Sequence, residues 1–173
     1  MTIRHGVATD AAALAELAAR TFRETFAAGS PPEDMALHLA QAYGTPQQQR
    51  ELADPDMTTL LADADGELAA YAQVRFGLTP ECVTGETPVE LWRFYVAQPW
   101  HGRGLAQTLM QRVELEASQR GGRTLWLGVW ERNGRAIAFY RKAGFTDVGS
   151  HVFMVGTDAQ TDRILVRSLG AHS

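Results

Sequence analysis

His101-Gly102-Arg103-Gly104-Leu105-Ala106 stands between a β-rich stretch, Leu91 to Val96, and a strongly periodic helical one that starts at Leu105. The first four amide N–H groups of a helix have no partner within it, and its peptide dipoles sum to partial positive charge at that end. Small residues at Gly102, Gly104 and Ala106 let an anion reach this backbone, so the segment reads as a pyrophosphate cradle. A dinucleotide fingerprint would need a third glycine where Gln107 stands, and the Gly-Lys-Ser/Thr of a P-loop is absent. A glycine turn with no ligand has the same composition. Further along, Asn133 and Tyr140 are seven residues apart, nearly two helical turns, so they share one helix face. A tyrosine hydroxyl can donate a proton to a developing anion. Taken alone, Tyr140 fits a half-buried packing position better than a catalytic one.

These segments together resemble the GCN5-related N-acetyltransferases (GNAT). His101 to Ala106 is similar to that family's pyrophosphate motif, Gln/Arg-x-x-Gly-x-Gly/Ala, with His101 in place of Gln or Arg. That departure touches one side-chain contact and leaves the backbone cradle of Gly104 and Ala106. Asn133 to Phe145 resembles the next signature, an Asn followed by a helix ending Phe-Tyr-x-x-x-Gly-Phe. The resemblance implies acetyl-CoA as co-substrate, with His101, Gly102, Arg103, Gly104, Leu105 and Ala106 at its pyrophosphate. The backbone of Phe94, Tyr95 and Val96, on a bulged and splayed strand, would pair with pantetheine like an added strand. Asn133 and Tyr140 complete the implied cofactor site, and Tyr140 is the implied general acid. Glu90, eleven residues before His101, matches the general-base Glu of the family's histone-acetylating branch. Glu131 and ordered water are the alternative bases, and no metal is implied.

The chemistry explains these residue types. An amine attacking a thioester expels a thiolate whose thiol pKa is about 8.5, and a nearby hydroxyl can protonate it. An alkylamine with a pKa of about 10.4 is only about 0.04% neutral at pH 7, so its proton needs an acceptor. Neither the Gly-x-Ser-x-Gly of a hydrolase nor the His-Glu-x-x-His of a metalloprotease occurs in the chain. Transfer to a primary amine by direct attack is therefore expected. A non-catalytic acetyl-CoA-binding module is the competing class, and Tyr140 speaks against it because binding alone needs no proton donor. Leu125 to Asn133, with Gly149 to Met154 and Gln160 to Asp162, is similar to the bacterial PaiA-type spermidine/spermine acetyltransferases. That implies a polyamine acceptor, recognised by carboxylates such as Glu131, Asp147, Asp158 and Asp162. A peptide N-terminus, an amino acid or an aminoglycoside remains open. The acceptor pocket is expected from the first two helices, the Cys82 loop and the last strands.

Positioning these groups requires a mixed α/β sheet. Ile3 to Val7 reads as a strand, and Asp10 as the cap of a helix running to about Ala27. Pro31-Pro32-Glu33-Asp34 starts a second helix through Tyr43, and a polar helical turn follows to Leu52. Met57 to Ala62 and Leu68 to Phe76 form strands around a turn at Asp63-Ala64-Asp65-Gly66. Val89 to Val96 is a strand, and Leu105, Leu109, Val113 and Ala117 mark a helix that Gly121-Gly122 stops. A strand at Thr124 to Val129, a helix at Asn133 to Ala143 and strands at Phe145 to Val155 and Ile164 to Leu169 follow. The two late strand–helix alternations are expected to make the parallel part of an otherwise mostly antiparallel sheet.

Length and charge limit the other classes. The 173 residues, 45% apolar and 21% charged, suit one globular domain over 1–173, acting as a monomer or homodimer. A net charge of −4 gives no electrostatic footprint for nucleic acid. One cysteine, Cys82, excludes a disulfide framework and a thiolate-rich metal site within the chain. No signal peptide and no apolar run long enough for a membrane is read, so a cytoplasmic location is expected.

Overall fold

The computed structural model describes residues 1–26 and 29–170. Its elements run β1 (Thr2–His5), α1 (Ala11–Phe26), α2 (Pro32–Ala42), α3 (Thr45–Ala53), β2 (Met57–Ala64), β3 (Glu67–Arg75), β4 (Pro88–Val96), α4 (Leu105–Gln119), β5 (Thr124–Trp130), α5 (Gly134–Lys142), β6 (Thr146–Val155) and β7 (Asp158–Ser168). The seven strands form one sheet in the order β1-β2-β3-β4-β5-β7-β6. Every adjacent pair is antiparallel except β4 and β5. The expected second parallel pairing does not occur, because β7 inserts between β5 and β6. A crossover helix makes β5 and β6 point the same way, but the hairpin return of β7 takes the place at β5's edge.

The sheet is covered on both faces. On one lie Leu105, Leu109, Met110, Val113 and Ala117 of α4, packed with Leu60, Ala72, Leu91 and Leu125. On the other lie Leu14, Leu17, Ala18 and Phe22 of α1 and Met35 of α2, packed with Leu61, Tyr71 and Trp130. Leu60 and Leu61 are adjacent yet serve opposite faces, as the two-residue strand period requires. The predicted α4 stripe is buried throughout.

Local corrections have local causes. Asp65 and Gly66 both have positive φ, 52° and 80°, a two-residue turn whose twist matches the flanking strands. Asp63 and Ala64 therefore belong to β2 rather than to the turn. Asp10 does not cap α1. It ends a 3-10 turn, accepts from the Val7 backbone N–H at 2.8 Å, and holds Arg4 through both oxygens. β1 accordingly stops at His5. The expected end of α1 at Ala27 lies outside the described residues. The polar turn before Leu52 is the nine-residue helix α3, which buries Gln48 and Glu51. None of the described helices is long and apolar enough to cross a membrane.

Candidate active site

The site originates in one irregularity of β4. Gln73 pairs with Arg93 but Val74 pairs with Leu91, so Trp92 is an extra residue opposite β3. Such a bulge bends a strand and increases its twist. The Trp92 ring lies between two guanidinium groups, Arg75 at 3.6 Å and Arg93 at 3.5 Å from its centroid. Arg93 reaches inward, donating to Glu51 at 2.5 Å and to the Gln73 side-chain oxygen at 2.8 Å. This buried pair ties α3 to the bulge.

Beyond the bend, β4 leaves its parallel neighbour. The two strands pair only at Pro88–Thr124, Val89–Leu125 and Glu90–Trp126. Ala97 N–H donates to Ala69 C=O at 2.8 Å. Because backbone groups alternate sides in an antiparallel ladder, Tyr95 also turns its N–H and C=O toward β3. Phe94 and Val96 face the opening instead. Of the three expected pantetheine-pairing residues, Phe94 turns its N–H and C=O to the cleft, Val96 turns its N–H there while its carbonyl oxygen is held by His101, and Tyr95 faces β3.

The opening widens into a cleft of about 860 Å³ lined by β4, the start of α4, the end of β5, the α5 face and α1. Gly102 and Gly104 have φ of 76° and 81°, which L-residues other than glycine rarely adopt. A Cβ at either would touch nothing within 4 Å, so the space above this backbone is open. The first intrahelical bond of α4 runs from Thr108 N–H to Gly104 C=O, leaving the amides of Leu105, Ala106 and Gln107 free. His101 links this turn to its surroundings. Its Nε2 lies 2.7 Å from the Val96 carbonyl oxygen, and its Nδ1 lies 2.8 Å from Arg135 Nη1. A guanidinium only donates, so Nδ1 accepts and Nε2 carries the proton given to Val96. Arg103 is exposed, with its guanidinium 5.1 Å from the Trp100 ring centroid.

α5 supplies the opposite wall. Asn133 Oδ1 accepts from Ala136 N–H at 3.1 Å, so its carbonyl oxygen is engaged as the helix cap. Tyr140 is buried among Phe94, Phe139 and Phe145, with ring centroids 5.5–6.1 Å away, and its hydroxyl pKa is pushed up by burial. Both residues border the cleft, as their spacing predicted.

At the other end two carboxylates face in. Burial raises the pKa of Glu90 against the pull of Arg75, whose Nε sits 2.6 Å from Oε1. Asp162 on β7 is flanked by Trp130 on β5 and His151 on β6. Its Oδ1 is buried with no hydrogen-bond partner among the described residues, and burial pushes its pKa up to about 7. The rings of Phe22, Phe26, His38, Tyr43, Trp130 and Phe153 wall this end. Asp147 is instead bound to Arg163 at 2.7 Å, Asp158 accepts from Gln160, and Glu131 is exposed; none of the three lines the cleft. The Cys82 loop also falls outside, with Cys82 against Gly149. Sequence reasoning missed Arg75, Trp92, Arg93 and His151, because their convergence depends on a strand register that no local pattern encodes. Among the described residues no group of three or more His, Cys, Asp or Glu could hold a metal ion.

Residues 11–145 match the model of the acetyltransferase (GNAT) family. This chain belongs to the GNAT family. It is similar to an uncharacterized N-acetyltransferase of Mycobacterium bovis, 34% identical over 93% of this chain and 99% of that one. Another, from the pepI 3′ region of Lactobacillus delbrueckii subsp. lactis, is 33% identical over 86% of each chain. The fold matches the crystal structure of PaiA N-acetyltransferase from Thermoplasma acidophilum in complex with coenzyme A, with a TM-score of 0.77. That likeness, at 20% identity, covers 97% of this chain and 99% of that one. This GNAT protein is thus an acyltransferase of the N-acetyltransferase class, with the family's mixed sheet and its parted β4–β5 pair.

The stability of the site is testable without substrate. Glu51→Ala leaves the Arg93 guanidinium buried without its counter-charge, which costs about 3–5 kcal/mol. Urea unfolding should show that loss, whereas Glu86→Ala, at an exposed pair with Arg123, should change stability by less than about 1 kcal/mol.

Proposed function

We propose that the enzyme transfers the acetyl group of acetyl-CoA to a primary amine by direct attack, with Tyr140 as general acid. The observation that carries this reading is the parting of β4 from β5 beside a helix start with free amides. The backbone of Phe94 and the Val96 N–H offer partners to the amides of pantetheine, and the free amides of Leu105, Ala106 and Gln107 beside Gly102 and Gly104 offer N–H groups to the pyrophosphate. Asn133 fixes the start of α5 and thereby the place of Tyr140, whose hydroxyl protonates the departing sulfur. The attacking amine must lose a proton, and Glu90 and Asp162 are the carboxylates at the end of the cleft away from the helix start, with Glu24 of α1 also lining it. A non-catalytic role would leave the Tyr140 hydroxyl and the unpaired Asp162 carboxylate without a task.

Acetyl-CoA at about 100 times its dissociation constant should add about 2.7 kcal/mol of stability, or about 5–10 °C in Tm. Gly104→Asp should remove that shift, because its carboxylate meets the phosphates; equal stabilisation by NAD would refute the cofactor. Tyr140→Phe should lower kcat by about 10²–10³-fold with little change in CoA affinity. An unchanged kcat, with chemistry rate-limiting, would leave the residue a packing role.

For the acceptor, the fold likeness to PaiA supports a polyamine, whereas the charge in the cleft supports a single ammonium. Three of the four carboxylates expected to line an extended cationic site stand outside it, and aromatic rings take up the wall. We favour an amine with one charged group and an apolar body. Assays of spermidine, simple arylalkyl and alkyl monoamines, short peptides and an aminoglycoside should rank a monoamine first, with weak salt dependence. A steep fall of kcat/KM with salt and a preference for spermidine would restore the polyamine, because each screened charge pair loses strength.

A further inference from the structure

Asp162 has no task in the packing of the protein. Its neighbours along the sheet are Trp130 and His151, and its Oδ1 is sealed from water without a donor. A buried carboxylate oxygen left unpaired is costly, and native structures rarely keep one without a reason. The sequence also makes room for it. At Gly128 on β5 a Cβ would stand 2.9 Å from Asp162 Oδ2 and 3.1 Å from His151 Cε1, so a side chain there would fill the space over the carboxylate. Gly128 lies two residues beyond Trp126, the last β5 residue paired with β4. Asp162 itself lines the cleft, on the part of the sheet where β5 has parted from β4.

We infer that Asp162 binds the acceptor's amino group and takes its proton, and that Glu90 does not. The inference rests on the acetyltransferase reading above and concerns the amine half of the same site. Glu90 is engaged by Arg75, an opposing charge that a departing proton would have to displace. Asp162 has no cationic partner among the described residues; the titratable and charged groups that line the same cleft are His151 from β6, Glu90 and Arg93 with Tyr95 from β4, Arg75 from β3, His101 before α4, Arg132 after β5, Arg135 and Tyr140 from α5, Glu24 from α1, and His38 with Tyr43 from α2 and its end. None of these forms an ion pair with it among the described residues.

One ammonium proton passes to Asp162 and from there to solvent. The neutral nitrogen then forms the N–C bond as the C–S bond breaks. Tyr140 protonates the sulfur, and the second nitrogen proton, through solvent, restores the Tyr140 hydroxyl. A carboxyl with a pKa of about 7 suits this task better than an ordinary aspartate, since its proton affinity lies closer to that of the amine.

The sign of the linkage provides a readout independent of turnover. The native pKa of Asp162 is raised, so between about pH 4 and 7 the native state binds more protons than the unfolded chain. Wild-type stability falls through that window as pH rises. Asp162→Asn cannot ionise, so its Tm relative to wild type should climb by several degrees from pH 4 to pH 8. The kcat/KM profile of the wild type, with the best amine of the panel, should bend near pH 7. Asp162→Asn should lose that bend and fall by at least about 10²-fold at pH 7.5, its residual rate following the neutral fraction of the amine. Glu90→Gln should keep the bend. A wild-type profile with no bend, a bend retained in Asp162→Asn or lost in Glu90→Gln, or no pH-dependent gain in Tm would each overturn the inference while acetyl transfer stands. A wild type that acetylates no amine would instead overturn the function itself.

Discussion

The Trp92 ring held between the guanidinium groups of Arg75 and Arg93 fixes the extra residue of β4, and the rest of the site follows from that bulge. Without the inserted residue β4 would continue beside β5, the backbone of Phe94 and Val96 would be consumed by the ladder, and no cleft would open. Cation–π contacts of this kind are each worth about 0.5–2 kcal/mol, which is modest beside the core. Their value here is directional. Both arginines also hold carboxylates, Glu90 and Glu51, so the same clamp sets the charge on the cleft side and on the core side of the strand.

The cleft separates two kinds of proton chemistry by where each element ends. α5 carries Tyr140 to the side of the turn that would hold phosphates, in an aromatic setting that keeps the hydroxyl protonated. The last hairpin carries Asp162 to the far side, where burial brings a carboxyl into the neutral range. Neither shift needs a charged partner. Desolvation alone raises both, and it suits a phenol that must keep its proton and a carboxyl that must accept one.

Much of this was legible in the residues. Gly102, Gly104 and Ala106 before a four-residue repeat announced the helix start, and Asn133 with Tyr140 announced the second wall, because capping and helix periodicity are local properties. The course of β4 was legible only through resemblance, and even then Tyr95 was counted among the free backbone groups. Which residues of a strand face an opening depends on the pairing of Ala97 with Ala69, a contact between segments far apart in sequence. The same limit applies at the acceptor end. Asp147, Asp158 and Asp162 look alike in a string of letters, and only the β5-β7-β6 order turns one into the cleft while Arg163 and Gln160 engage the others. That order was itself misjudged, because strand–helix alternation suggests parallel neighbours and says nothing of a later strand slipping between them.

α3 takes no part in the cleft, yet its Glu51 anchors the guanidinium that shapes β4. A molecule that pairs with the open edge of β4 binds only the form in which the bulge is made. That form requires α3 to be docked, so undocking of this short helix competes directly with occupancy of the cleft. Any population in which α3 peels away subtracts from the competent fraction, and a bound ligand suppresses that opening by the same free energy. The persistence of a remote, largely polar helix is in this way a component of cofactor affinity.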